Sequence, residues 1–113
     1  DVARGVAAIG DDINHGYGEI RNHLGWRRDR TSTVFGTLAY FDGVHFAARA
    51  TAPARFSTGL RDRLCPPETV VTAYRRYAGP KRLVTWQHNG HEGGGEHDDI
   101  EQVAFLAEAG LAP

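Results

Sequence analysis

The apolar positions of this 113-residue chain follow two kinds of pattern, and the change falls near residue 50. Before it, apolar residues recur at helical spacing. Tyr17, Ile20 and Leu24 lie three and four apart with Gly25 following, which predicts a short helix that stops at the glycine. Thr31 or Ser32 offers a capping oxygen to a second helix, in which Val34, Phe35, Leu38 and Phe41 form one stripe. Residues 1–16 are polar and broken by glycine, with Asp11 and Asp12 ahead of a weak pattern, and read as a loop or a frayed helix. Beyond residue 50 the pattern changes. The stretch 54–60, after Pro53, reads as a strand ending at Gly59. Pro66 and Pro67 open a helix at positions where their missing N–H costs nothing; it runs to Ala78 with Val70, Val71, Tyr74 and Tyr77 on its buried side, and Gly79-Pro80 stops it. A second strand follows over 82–87. A closing helix runs from Glu96 to Ala109, with Ile100, Val103, Phe105 and Leu106 expected inward.

Strand, helix, strand, helix predicts a right-handed crossover in which two neighbouring strands run parallel with the helix 67–78 packed across them. Parallel strands expect helices on both faces of a wider sheet, and two strands do not make one. The expectation is therefore an α/β fold of which this chain is the C-terminal portion, with a helical segment over 1–50 and a βαβα end over 51–113. There is no internal repeat.

Composition agrees with that incompleteness. Val, Ile, Leu and Phe supply 24 of 113 residues, and 15 of the remaining apolar residues are alanines, whose burial contributes little. The core is thin for independent folding. A net charge of −1 gives no overall field toward nucleic acid or an anionic membrane, and no apolar run approaches the ~20 residues of a membrane span. Neither partner is expected, and a cytoplasmic location is. One cysteine, Cys65, excludes an internal disulfide and a four-cysteine zinc site.

In parallel α/β sheets, chemistry gathers at the carboxyl ends of the strands. Asp62 lies just past the first strand and His91 just past the second, 29 residues later. An acid after one strand and a histidine after the next match the second half of the chain order Ser, Asp, His. Spacing alone leaves a second reading open, in which Asp62 caps the turn Arg61-Asp62-Arg63 and His91 is a loop histidine. Neither serine fits a nucleophile elbow, since Ser32 is flanked by threonines and Ser57 lies mid-strand. Cys65, between arginines and two prolines, reads either as an activated thiolate or as a buried packing residue. His88, His91, Glu92, His97, Asp98 and Asp99 invite a metal reading, but His91-Glu92 and His97 are not spaced to share a helical face, and Gly93 to Gly95 break a helix between them. No metal or cofactor is expected. The same glycines are expected to leave the His91 loop free to swing. Arg27, Arg28 and Arg30 beside Trp26 form a basic cluster that a base and phosphate would fit, or else a solvated helix end.

Several runs together resemble the acetyl xylan esterases and cephalosporin C deacetylases of carbohydrate esterase family seven: Leu38-Ala-Tyr-Phe-Asp-Gly-Val44, Gly59-Leu-Arg-Asp62, Cys65-Pro-Pro67 with Thr69 and Ala73-Tyr74, Gly79-Pro-Lys81, and Asn89-Gly-His-Glu92. The resemblance covers roughly residues 17 to 106 and implies an α/β-hydrolase fold. It implies Asp62 as the triad acid and His91 as the triad base. It also implies an acetylated carbohydrate or small acetyl ester as substrate, no cofactor, and a homo-oligomer for full-length members. The family's serine elbow and oxyanion hole lie upstream of the matched segment, so the nucleophile half is expected to be missing here. His45, Val71, Arg75 and His88 depart from the family pattern, and of these Arg75 and His88 leave subunit contacts and substrate fit open.

Overall fold

The computed structural model describes residues 2–9 and 16–111; Asp11 and Asp12 lie outside them. Strands β1 (Ala54–Gly59) and β2 (Lys81–Trp86) pair in parallel, in register from Ala54 opposite Lys81 to Gly59 opposite Trp86. Helix α5 (Pro67–Arg76) makes the crossover between them, as the order of elements predicts. Side chains alternate along a strand, so Phe56 faces one side of this sheet while Arg55 and Ser57 face the other. Each side takes one helix.

On the Phe56 side, Tyr74 of α5 and Tyr77, the extended residue that ends the helix short of the expected Ala78, stand edge-on to the Phe56 ring with centroids 5.6 and 5.4 Å away. The Tyr77 hydroxyl donates to the Ala52 carbonyl at 2.8 Å. Lys81 lies over the Tyr74 ring and donates to the Tyr77 carbonyl at 2.6 Å, placing a cation where the helix leaves its last carbonyls.

On the other side lies α6 (Glu96–Glu108), held by charge rather than by oil. Arg55 Nη2 donates to Asp98 Oδ1 and to Glu101 Oε2, each at 2.7 Å, from a side chain only 3% exposed. Ser57 Oγ donates to the same Asp98 oxygen at 2.9 Å, Trp86 Nε1 reaches it at 3.0 Å, and Gln102 donates to the other oxygen at 3.2 Å. Arg82, the register partner of Arg55, pairs with Glu108 at 3.1 Å and covers the Phe105 ring. This corrects the expected inward face. Phe105 is half-buried, but Ile100, Val103 and Leu106 are exposed. Asp98, Glu101, Gln102 and Phe105 share one face at 3.6 residues per turn, and the Arg55 pair turns that face to the sheet, which rotates Ile100 and Val103 away.

Among the described residues, the elements of the N-terminal half are all helices: α1 (Val2–Ala8), α2 (Tyr17–Trp26), a single 3-10 turn (Arg28–Arg30), α3 (Thr31–Ala39) and the short α4 (Gly43–Ala47). Helix α2 runs through Gly25 and ends when the Arg27 N–H bonds the His23 carbonyl, so Gly25 is not its stop. Thr31 is the first residue of α3 and its hydroxyl bonds back to the Arg28 carbonyl instead of capping. Of the expected stripe, Val34, Phe35 and Leu38 are half-buried, while Phe41 lies past the helix and is exposed. Asp42 caps α4 by accepting from the Val44 N–H at 3.0 Å, and its other oxygen accepts from the Val2 N–H at 2.8 Å, which ties α1 down. Gly5 meets the Tyr17 ring so closely that an added Cβ would lie 2.5 Å from it.

The buried apolar residues among those described are Val6, Ile9 and Val44. The radius of gyration is 15.9 Å against about 13 Å for a compact chain of this length, in keeping with the thin core. Burial alone would raise the Asp98 carboxyl; the hydrogen bonds from Arg55, Ser57, Gln102 and Trp86 outweigh it and hold it at about 2. A carboxyl depressed in the folded state contributes stability above its unfolded value near 3.9, and the contribution disappears as pH falls through 2. Replacing Arg55 by Met should lower the unfolding free energy at pH 7 by on the order of 3 kcal/mol, because Asp98 keeps its burial and loses its counter-charge. It should also move acid unfolding to higher pH. Urea titrations at pH 7 and an acid titration check both; a loss below about 0.5 kcal/mol would mean that apolar packing holds α6.

Candidate active site

Parallel pairing in register brings both strand ends to one edge. The pairing continues past the strands: the Leu60 N–H bonds the Trp86 carbonyl and the Arg61 N–H bonds the Asn89 carbonyl, each at 2.9 Å. A Cβ on Gly59 would lie 2.1 Å from the Gly90 carbonyl oxygen, so only glycine permits this approach of the two loops.

Asp62 follows directly. Its Oδ1 accepts the N–H groups of Leu64 and Cys65, each at 2.9 Å, an Asx turn that fixes the carboxylate. Its Oδ2 then faces His91 Nδ1 at 3.1 Å, within hydrogen-bond reach. The two readings of Asp62, turn cap and histidine partner, are both realised, one on each oxygen. The carboxylate is 8% exposed and the imidazole 58%, so the acid is sheltered and the ring faces solvent.

The loop that carries His91 is tied down at several points. Glu92 accepts from the Asn89 side-chain amide and from the Gly90 N–H, both at 3.1 Å. Its own N–H and that of Gly90, then the Asn89 amide, hold this exposed carboxyl below its ordinary value. Gly93 and Gly95 adopt left-handed backbone at φ 59° and 53°. A Cβ on Gly94 would lie 2.2 Å from the Trp86 indole. Gly94 in this run is thus a seat for Trp86.

Beside His91 opens a cleft of about 460 Å³, to which Tyr17, Ile20, Leu38 and Leu64 bring apolar surface and Cys65 its thiol. Burial, with Cys65 and Asp42 adding to it, pushes the Tyr17 phenol above its ordinary value. Cys65 as a residue is exposed and not a packing cysteine. Its thiol is nevertheless pushed up, first by desolvation and then by the Asp62 carboxylate, so the neighbouring arginines do not activate it. The six residues of the expected polar loop do not converge: Asp98 is engaged by Arg55, and His88 and His97 are exposed. Ser57 Oγ is taken up by Asp98 and by Trp86 Nε1, and among the described residues no serine bonds His91. In the basic cluster, Arg27 and Arg30 both pair with Asp29.

The acetyl xylan esterase family model matches residues 4–109. The chain belongs to the acetyl xylan esterase family. Acetyl xylan esterase 1 from a Thermoanaerobacterium species superposes with a TM-score of 0.80 at 28% identity, over 96% of this chain and 34% of that one. The acetyl xylan esterase of a Paenibacillus species gives 0.77 at 32% identity, over 95% of this chain and 34% of that one. An acetyl esterase of Xylanibacter ruminicola is 36% identical over 61 residues, 54% of this chain and 14% of that protein. The fold is that of α/β-hydrolase acetyl xylan esterases, and the chain spans about a third of the length of these solved relatives.

Sequence reasoning placed Asp62 and His91 and missed the nearness of Cys65 and Tyr17. The Asp62-x-x-Cys65 spacing carried the first signal, since an Asx turn folds residue i+3 back toward the carboxylate. Tyr17 comes from the far end of the chain and had none. Substituting Gly59 by Ala should separate the two loops: amide NMR shifts of Asn89 to Glu92 should move and the Asp62–His91 contact should be lost. Unchanged shifts there would mean that the strand-end approach does not set the pair.

Proposed function

We propose that this chain contributes the acid and the base of a serine esterase that removes acetyl groups from acetylated xylan or related oligosaccharides. The observation that carries the reading is the 3.1 Å contact of Asp62 Oδ2 with His91 Nδ1, on the loops after two parallel neighbouring strands. A carboxylate at Nδ1 holds the imidazole in the tautomer whose Nε2 accepts a proton. Family membership and the acetyl xylan esterase and acetyl esterase activities for which the relatives are named support the substrate class. Small acetyl esters such as cephalosporin C are a further substrate within the same chemistry.

In this mechanism a serine outside the 113 residues attacks the acetyl carbonyl. His91 Nε2 takes the hydroxyl proton and returns it to the departing sugar oxygen, and the acetyl-serine forms. Water, deprotonated by His91, then attacks the acetyl carbon; acetate leaves and the serine recovers its proton. Asp62 stabilises the imidazolium without itself taking the proton. The full-length enzyme is a homo-oligomer in this reading.

The isolated chain should hydrolyse p-nitrophenyl acetate no faster than free imidazole, since neither of its serines reaches His91. The decisive experiment replaces the matching third of the Thermoanaerobacterium esterase by this chain and assays acetate release from acetylated xylan. The chimaera should be active, and Asp62→Asn should lower kcat by about 10⁴-fold with the fold intact. A soluble, folded chimaera whose activity is indifferent to Asp62→Asn and His91→Ala would defeat the reading.

A further inference from the structure

Among the described residues, Asp62, Cys65 and His91 bring a carboxylate oxygen, a sulfur and an imidazole nitrogen within 4.8 Å of one another. We propose that this trio binds a divalent cation of the zinc class, which sits between Asp62 and His91 and blocks the pair as a base. Blocking rests on the function proposed above; binding does not.

The donor set selects the ion. One oxygen, one nitrogen and one sulfur suit zinc and its borderline-soft neighbours, whereas magnesium and calcium require six or more oxygens. Bonds of about 2.0–2.3 Å in a tetrahedron place donor atoms about 3.3–3.7 Å apart. The Asp62–His91 pair already stands at 3.1 Å. The remaining closure is about 1 Å, within the reach of a rotation of the exposed His91 ring and the Cys65 side chain. The site is also supported from behind: the Leu64 and Cys65 N–H groups hold Asp62 Oδ1, so Oδ2 is fixed in its direction, as outer-shell hydrogen bonds do for metal ligands. Three protein ligands leave the fourth position to water.

Binding releases one proton per ion. The Cys65 thiol gives its proton to solvent, and the His91 proton moves from Nδ1 to Nε2 so that the ring stays neutral. The negative Asp62 carboxylate beside the thiol attracts the cation. A metal on Nδ1 leaves Nε2 protonated, and a protonated Nε2 cannot take a proton from a serine.

Cobalt(II) alone, titrated into the reduced 113-residue chain, tests this directly, because a thiolate ligand gives a charge-transfer absorption that oxygen and nitrogen ligands do not. One equivalent should bind with that band, and zinc should displace it. Cys65→Ser should remove the band and His91→Gln should weaken binding at least tenfold, with circular dichroism showing both variants folded, while His97→Gln should change neither. Absence of the band in the native chain, or undiminished affinity in His91→Gln, overturns the proposal. The readout needs no nucleophile, and the chimaera assay can be run in chelator, so the two proposals stand or fall separately.

Discussion

The parallel, in-register pairing of β1 with β2 is the constraint from which the rest follows. An antiparallel pair would put the loop after β1 and the loop after β2 at opposite ends of the sheet. In parallel, both chain exits lie together, and Gly59, by lacking a side chain, lets the carbonyls of Asn89 and Gly90 close onto β1. From there the geometry is local. The Arg61 N–H to Asn89 carbonyl bond sets the distance between the loops, and the Asx turn at Asp62 leaves one carboxylate oxygen toward His91.

Maintaining a two-stranded parallel sheet requires cover on both faces, and this chain achieves it by two different means. The α5 face is aromatic, with Phe56 between two tyrosines. The α6 face is ionic, centred on a nearly buried Arg55 and an Asp98 carboxylate with four hydrogen-bond donors. Such a cluster specifies orientation more than it adds net stability, since desolvation offsets much of the attraction. Trp86 links the cluster to the site: its indole N–H joins Asp98, and its ring rests on Gly94 in the loop that carries His91.

Much of this was legible in the residues, and the failures share a cause. The strands, the crossover helix and the strand-end pair follow from Pro66-Pro67, the apolar runs and the position of Asp62 and His91, all of which are local signals. The rotation of α6 was not legible, because an apolar stripe at Ile100 and Val103 says which residues are apolar and not which face a distant arginine claims. The short α4 hides behind Asp42, whose capping role is visible only once Val44 follows at the right spacing. Gly25 inside α2 shows that a glycine alone does not end a helix: the exposed last turn continues until the Arg27 N–H bonds the His23 carbonyl. Cys65 and Tyr17 reach the cleft from separate parts of the chain, and no spacing rule connects them.

The central claim is that the two strand ends hold His91 with its Nδ1 proton directed at Asp62 and Nε2 left open as the base. Long-range proton–nitrogen NMR of the His91 ring, in chelator and at a pH where the imidazole is neutral, reads the tautomer directly. The account predicts a proton on Nδ1 in the native chain and a shift toward the Nε2–H tautomer favoured by free histidine when Asp62 is replaced by Ala. A native His91 with its proton on Nε2, or a ring whose tautomer ignores the Asp62 substitution, would contradict it.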